Sequence, residues 1–258
     1  MVYNLFITYG GSGMDATNYF TKTQEILENA TKSQKEAIVH MAKVMGDCMV
    51  DQGLIQLFGI GPDRAFAMEL GYRAGGLMPY HQLNMKDLVL RGHLTLDEMS
   101  DPAFYDRTDL AEKLWNLYTI DPRDMVLIYA AEEVYDSTLA LARIAREKGH
   151  KVLLVASFDA ILNSKHKENA ALLIDLTYAT LNLCTPYPDT VLEIMPGIKI
   201  TQVTNVVGNC FAQMLTAETY RYLVENGHDA PILLSANVTG ADVHNRKISD
   251  VYLGRWNA

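Results

Sequence analysis

The sequence predicts an α/β domain built on a parallel sheet, and three observations lead to that class. Short apolar segments of strand length alternate along the chain with amphipathic segments of helical period. Strands that alternate with helices in this way are joined by right-handed crossovers and lie parallel. The chain has 258 residues, of which 49% are hydrophobic, so one large domain has ample material for a core.

Charge and composition argue against several classes of protein. The formal net charge is −9, which disfavours nucleic acid or an anionic membrane as the main partner. No apolar run approaches the roughly 18 residues of a membrane-spanning helix, and the first residues show no signal-peptide pattern. Cys48, Cys184 and Cys210 have no metal-binding spacing. We interpret them as buried free thiols and expect a cytoplasmic protein.

The amino-terminal part of the chain is predicted to be a long helix after a flexible extension. The extension is residues 1–13, with Met14 as an alternative start. From 17 to 51, apolar residues recur every three to four positions, and Gly53 follows as a stop. Such a helix is about 50 Å long at about 1.5 Å per residue. We expect it to be an assembly element that joins the chains of a homodimer or homotetramer.

A strand, a glycine turn and a second helix are predicted next. The strand covers residues 54–58, the turn is Gly59-Ile60-Gly61, and the helix runs from Pro62 to a stop at 75–76. This arrangement directs free backbone N–H groups and the helix dipole toward one point, which is typical of an anion-binding loop. A plain tight turn explains the two glycines equally well.

The rest of the chain continues the alternation. Strands are predicted at 77–80, 125–130, 152–156 and 178–183, and helices at 96–100, 109–118, 137–148, up to 176, and 204–225; a hairpin of 191–194 and 198–202 and a polar tail complete the pattern. Ligands bind beyond the carboxyl ends of parallel strands. The loops at 59–63 and 130–136 are therefore expected to open onto one site.

Several motifs carry a resemblance to a known family. They are Gly59-x-Gly61 after a strand, Glu69, the run 72–77, Ser164-x-His166, the runs 185–187 and 191–193, and the long tail motif 235–246. With them the chain resembles the sugar isomerase (SIS) domain, in a branch similar to phosphoheptose isomerase. The resemblance implies a flavodoxin-like three-layer α/β/α sandwich with a five-stranded parallel sheet, ligand sites near subunit boundaries, and the binding of phosphosugars. We expect one SIS domain over 14–258, with the tail motif at 231–258.

The phosphate-binding loops of that family are altered in this sequence. SIS proteins usually hold the phosphate with hydroxyl side chains after strands 1 and 3. Here the first loop has Asp63, and the second has Ala131, Glu132 and Glu133. A carboxylate at about 4 Å would repel a phosphate by about 1–4 kcal/mol. Either the ligand lacks phosphate, or a cation bridges, or the site no longer works.

Aldose–ketose isomerisation needs a base and an acid beside the sugar, and three residues are predicted to be catalytic. Glu69 matches a glutamate of the family near the pocket, although a surface carboxylate of an amphipathic helix would look the same. His244 lies in the tail motif, where a helix-capping cluster with Asp242 as cap is the alternative. His166 follows the fourth strand, where pockets form.

The predicted substrate-binding residues lie in the same loops, on helix 2 and in the tail. They are Gly59, Ile60, Gly61, Asp63, Arg64, Arg73, Ala131, Glu132, Glu133, Ser164, Asn237 and Asn245. Arg64 and Arg73 are included because their positive charge would partly compensate the carboxylates. We expect no cofactor and no metal, because zinc spacing is absent and the acidic residues of the two loops are more simply a solvated rim than a site for a hard cation.

Two functions follow from these residues. The first is binding of a sugar or sugar-phosphate derivative with aldose–ketose isomerisation by acid–base proton transfer. The second is a non-catalytic SIS protein that senses a carbohydrate derivative, which the loss of the hydroxyl-rich loops favours. In both, the partner is a small carbohydrate derivative, with neither nucleic acid nor membrane.

Overall fold

A five-stranded parallel sheet runs through the protein in the order β2-β1-β3-β4-β5. The computed structural model describes residues 15–252 and 254–255, so the predicted extension and the alternative start at Met14 lie outside the described residues. The strands are Ile55–Phe58 (β1), Tyr80–Leu83 (β2), Met125–Ala130 (β3), Val152–Ala156 (β4) and Ala179–Asn182 (β5). The middle three are buried at every residue, as expected for a parallel sheet covered on both faces.

Helices cover both faces of this sheet. The described helices are Ala16–Val50 (α1), Arg64–Leu70 (α2), Lys86–Leu90 (α3), Leu96–Met99 (α4), Asp109–Leu117 (α5), Asp136–Glu147 (α6), Phe158–Ile161 (α7), Lys167–Leu176 (α8), Thr204–Glu225 (α9) and Ala241–Ser249 (α10), the last of which belongs to the tail. One core layer lies between the sheet and α1, α2 and α9, and the other between the sheet and α5, α6 and α8. The predicted three-layer α/β/α sandwich is confirmed.

The long first helix is confirmed, and it lies along its own domain. Its N-cap is Asp15, whose carboxylate accepts a hydrogen bond from the Asn18 N–H at 2.9 Å. The buried side of α1 packs along α9 and passes beside β5. Its assembly role stays a prediction, because a single chain is described.

Three local predictions are wrong. The second strand is β2, Tyr80–Leu83, and residue Leu77 pairs instead with Ile232 of the tail. Helix α2 ends at Leu70 rather than at 75–76, because Gly71 leaves the helix with an extended backbone. Cys184 is exposed and Cys210 is only half-buried, although Cys48 is buried as predicted. Helix α3 was not expected from the sequence.

The hairpin and the tail lie at opposite ends of the parallel strands. The predicted hairpin is confirmed as Thr190–Met195 (β6) and Ile198–Gln202 (β7), which pair antiparallel. The tail packs at the amino ends of the strands, where Leu233 and Tyr252 contact Leu54 and Met78. In the part of the chain that the structure describes, every helix is too short or too polar to cross a membrane.

Candidate functional site

The crevice between β1 and β3 is the position where this fold is expected to bind a ligand. The chain leaves β1 toward β2 on one side and returns to β3 on the other, and such a reversal opens a gap beyond the carboxyl ends of the strands. Here the Asp63 carboxylate reaches across the gap. Its Oδ2 atom accepts a hydrogen bond from the Ala131 N–H at 2.8 Å, and the residue is only 9% exposed. The first backbone N–H after β3 is thus already hydrogen-bonded to a side chain of the protein.

The electrostatics of this contact are unusual. Burial above all, with smaller contributions from the nearby Glu132 and Asp189, raises the pKa of the Asp63 carboxyl to about 8, although the hydrogen bond from the Ala131 N–H lowers it. Burial also raises the pKa of Glu132, again with a contribution from Asp189. Burial and mutual repulsion of these acidic groups therefore favour the protonated forms of Asp63 and Glu132.

The glycine turn is shaped around Asp63. A Cβ atom on Gly59 would lie 2.7 Å from the Asp63 carbonyl oxygen, so only glycine fits at this close approach. Gly61 has φ +58°, the left-handed region that glycine adopts without strain. The two glycines thus place Asp63 against the β3 loop, where the sequence alone suggested an open anion-binding loop.

An acidic cavity of about 480 Å³ opens beyond β3, β4 and β5. It is lined by Ala131, Glu132, Glu133, Ala160, Ser164, Lys165, Tyr187, Pro188, Asp189, Thr190 and Gln202. The hairpin holds one wall, because the Gln202 Nε2 donates to Glu132 Oε1 at 3.2 Å. The lining has three carboxylates and one ammonium group, and the predicted residues Ala131, Glu132, Glu133 and Ser164 all belong to it.

His166 is held beside this cavity by two carboxylates. Its Nδ1 lies 2.7 Å from Glu133 Oε1, and its Nε2 lies 3.1 Å from Asp106 Oδ1. The ring also contacts Tyr135, with 5.5 Å between ring centroids. Among the described residues only Nδ1 is hydrogen-bonded, since Asp106 Oδ1 lies near Nε2 without hydrogen-bond geometry, and the Nδ1 bond joins His166 to Glu133 at the cavity wall.

Glu69 and Arg73 lie away from the acidic cavity, on the surface between α2 and α9. Glu69 forms an ion pair with Arg73 and accepts a hydrogen bond from Gln213 Nε2 at 2.7 Å. Gln213 and Ile232 both line a separate cavity of about 260 Å³. The predicted base thus faces α9 and not the loops after β1 and β3.

The predicted tail residues lie toward the amino edge of the sheet. His244 Nε2 is 2.9 Å from the Ile232 carbonyl oxygen, and Asn245 bridges the backbone N–H and C=O of Leu234 at 2.8 and 2.9 Å. Asn237 is exposed. The helix α10 is capped by Gly240 rather than by Asp242. Glu69, His166 and His244 do not meet within one chain.

The acidic residues that could have shared a cation each have a different partner. Asp63 is bound to the Ala131 N–H, Glu132 to Gln202, Glu133 to His166, and Asp136 to Asn169. Among residues 15–252 and 254–255, no three His, Cys, Asp or Glu side chains are grouped so that they could hold a metal ion.

Besides Ala160 and Pro188, sequence reasoning missed five polar or aromatic residues that line the acidic cavity. They are Lys165, Tyr187, Asp189, Thr190 and Gln202. Four of them border the predicted hairpin, and the loop after the fifth parallel strand opens at the same edge as the loops after β1 and β3. Their position after the fifth parallel strand could therefore have indicated from the sequence that they lie near the site.

The sequence is similar to those of known protein families. The SIS domain family profile matches residues 18–157, more than half of the chain. A UPF0309 protein of Geobacillus kaustophilus is 27% identical over 239 residues, covering 92% of this chain and 94% of that protein. A UPF0309 protein of Listeria monocytogenes is 27% identical over 239 residues, covering 91% and 94%.

Solved structures show more distant similarity. A phosphoheptose isomerase from Francisella tularensis has a TM-score of 0.49 and 13% identity, covering 80% of this chain and 96% of that chain. The Vibrio vulnificus NanR protein complexed with ManNAc-6P has a TM-score of 0.41 and 10% identity, covering 92% and 70%. The profile match over more than half of the chain shows that the chain belongs to the SIS domain family.

Proposed function

We propose that the protein binds a carbohydrate derivative in the acidic cavity, through the hydroxyl or amino groups of the sugar. The observation that carries this proposal is the Asp63 carboxylate on the Ala131 N–H, because it fills the crevice in which a ligand's phosphate would otherwise lie. The ligand is then held without a phosphate between β1 and β3.

The lining of the acidic cavity suits the polar groups of a sugar. The carboxylates of Glu132, Glu133 and Asp189 accept hydrogen bonds from hydroxyl or ammonium groups. The Tyr187 ring is 52% exposed and offers apolar surface to the C–H groups of a sugar. A few polar groups around an apolar surface are typical of small-molecule sites.

A thermal-shift screen of neutral sugars, amino sugars and sugar phosphates tests this proposal. We expect at least one carbohydrate to raise the Tm of the wild-type protein, and Glu132→Gln to weaken its binding about tenfold, because a charged acceptor is lost. Glu147→Gln, at the exposed end of α6, is the matched control. If no carbohydrate raises the Tm, or if the Glu132 variant binds like the wild type, the proposal is wrong.

Aldose–ketose isomerisation is the second candidate function. It is favoured by the raised pKa of Glu132, which keeps a carboxyl able to accept and return a proton at a cavity wall. Incubation with the bound sugar in D₂O, followed by proton NMR, would show exchange at the carbon next to the carbonyl. Turnover that survives both Glu69→Gln and His244→Asn would contradict the prediction that these two residues are catalytic. Loss of turnover in Glu132→Gln would support the acidic cavity as the place of the reaction.

A further inference from the structure

The geometry points to a second small-molecule site, for a free α-amino acid with an apolar side chain, at the amino ends of the strands. The site is a cavity of about 390 Å³ where the tail meets the end of α1. Small-molecule sites typically have volumes of about 300–1,000 Å³. We call it the tail cavity, and its walls include Met49, Asp229, His244, Lys247, Ile248 and Tyr252.

Part of the wall of the tail cavity is apolar and anchored in the fold. Met49 is 5% exposed and Tyr252 is 3% exposed. Tyr252 belongs to the small core at the amino ends of the strands, and Ile248 packs against that core. An apolar ligand side chain that contacts these residues leaves water, which is favourable. The wall therefore suits a ligand with an apolar part.

Two opposite charges accompany this apolar wall. Asp229 and Lys247 both line the tail cavity, and both are exposed. Within residues 15–252 and 254–255, neither lies within 4.0 Å of an oppositely charged group. An anion or a cation would be attracted by one of them and repelled by the other. A zwitterion pairs its ammonium group with Asp229 and its carboxylate with Lys247, and both contacts are favourable.

His244 adds a hydrogen-bond acceptor to the lining. Its Nε2 lies 2.9 Å from the Ile232 carbonyl oxygen, and because a carbonyl only accepts, Nε2 carries the hydrogen. The other nitrogen of the neutral ring, Nδ1, is then an acceptor, and it has no partner in the part of the chain that the structure describes. An ammonium group has three hydrogens to donate. The Asp229 carboxylate and His244 Nδ1 match this need for several acceptors.

Helix α10 carries polar and apolar groups of the tail cavity on one face. His244, Lys247 and Ile248 are spaced i, i+3 and i+4 along this helix, and side chains with that spacing are neighbours. An α-amino acid carries its ammonium group, its carboxylate and its side chain on one carbon atom. It therefore needs partners for all three groups close together, and such a helix face supplies them.

The inference does not rest on the proposed function, because the tail cavity and the acidic cavity lie at opposite ends of the parallel strands. The two cavities also differ in chemistry. The acidic cavity has three carboxylates and one ammonium group, whereas the tail cavity has one charge of each sign beside apolar side chains. A phosphorylated ligand, with nearly two negative charges on its phosphate, would be repelled by Asp229.

The test is a calorimetric titration of the protein with L-leucine, L-methionine and L-phenylalanine. We expect at least one of them to bind, and Asp229→Asn and Lys247→Gln each to weaken that binding about tenfold, because a charged partner is lost. The N-acetyl and amide derivatives of the same amino acid, which lack the ammonium group and the carboxylate respectively, should also bind about tenfold more weakly or not at all.

The matched control variants are Asp242→Asn and Arg246→Gln. Both residues are exposed positions of α10 outside the lining of the tail cavity, so these variants should bind like the wild type. Glu132→Gln, which alters the acidic cavity, should also bind the amino acid like the wild type. Since Asp229 and Lys247 are exposed as well, their variants are expected to fold.

The outcomes separate this inference from the proposed function. Absence of binding by all three amino acids, binding that either Asp229→Asn or Lys247→Gln leaves unchanged, or equal affinity for the N-acetyl derivative would overturn the tail cavity. Loss of binding in Glu132→Gln would place the amino acid in the acidic cavity and would overturn it too. If no sugar binds while amino-acid binding depends on Asp229 and Lys247, the proposed function fails and the tail cavity stands.

Discussion

Asp63 lies in the loop after β1, and its role is set by a contact with the loop after β3. The sequence alone shows Asp63 as one acidic residue in a loop, where its negative charge is expected to repel a phosphate. In the folded protein it is buried, and it accepts the N–H of a residue 68 positions away. This carboxyl group fills the crevice, and because its pKa is raised to about 8 it also makes the stability of the fold sensitive to pH.

We predict that Asp63→Asn stabilises the protein and that the gain grows with pH. The folded pKa is about 8 against 3.8 for the ordinary carboxyl, so the stability of the wild type is fully present below about pH 4 and falls as the pH rises toward 8. Asparagine accepts the same N–H without carrying a charge. We expect equal stability near pH 4 and a gain of about 2–5 kcal/mol at pH 8, at about 1.4 kcal/mol per pKa unit.

Urea unfolding of both proteins across this pH range measures the difference. Asp97→Asn, on the exposed surface of α4, is the control and should follow the wild type. A constant difference between the Asp63 variant and the wild type at every pH would show that the carboxyl is not perturbed.

At the scale of elements, the glycine turn between β1 and α2 has two glycines with different roles. Gly59 is required because a backbone carbonyl, that of Asp63, approaches its Cβ position to 2.7 Å. Gly61 is required only for its backbone angle, since the space beside it is open. The same Gly-x-Gly pattern in the sequence therefore hides one steric and one conformational constraint.

Alanine at these two positions should separate the constraints. Gly61→Ala is expected to cost about 1–2 kcal/mol, the strain of a left-handed residue. Gly59→Ala must displace the loop that carries Asp63, and we expect a cost of about 2–3 kcal/mol. Only Gly59→Ala should also flatten the pH dependence of stability, because it moves Asp63 from the Ala131 N–H. Denaturant unfolding at pH 5 and pH 8 measures both effects, and identical pH profiles for the two variants would contradict this view.

At the scale of the whole molecule, the tail closes the amino edge of the sheet. Arg255 donates to Asp124 Oδ1 at 2.9 Å and to the Gln52 carbonyl oxygen at 3.1 Å. Asp124 is 3% exposed and also accepts from the Leu54 N–H and from Gln56. The end of the described chain is thus tied to the residues that lead into β1 and β3.

Arg255→Ala is predicted to destabilise the protein by about 1.5–3 kcal/mol, because a buried carboxylate loses a charged donor. Arg246→Ala, on the exposed side of α10 in the same tail, should change stability by no more than about 0.5 kcal/mol. Thermal and urea unfolding measure both. Equal effects of the two substitutions would show that the tail is held by apolar packing alone.

The predicted homodimer or homotetramer also belongs to this scale. Helix α1 buries one side on α9, while Phe20 on its outer surface is 66% exposed. We expect light scattering to give two or four times the chain mass, and Phe20→Lys to shift the distribution toward the monomer, since a charge would have to be buried in the contact. Leu90→Lys, on α3 with 80% exposure, is the control. A wild-type monomer would contradict the assembly role of α1.

Local pattern alone determined much of the architecture. Strands β3 and β4 and helix α9 match the predicted bounds, because continuous apolar runs and a sustained helical period do not depend on distant residues. The wrong second strand shows the limit of this reasoning. Residues 77–80 are apolar for two reasons, since Leu77 pairs with the tail and only Tyr80 begins β2.

The candidate site was decided by the tertiary structure. The sequence identified the loops after β1 and β3, because parallel strands bring their carboxyl ends to one edge. It could not show that Asp63 turns inward to Ala131, that Glu133 and Asp106 hold His166, or that His244 lies toward the opposite edge from the acidic cavity. Each of these contacts joins segments far apart in the chain or depends on packing around a buried group. The orientation of a side chain and the extent of its desolvation are set only when the helical layers pack on the sheet.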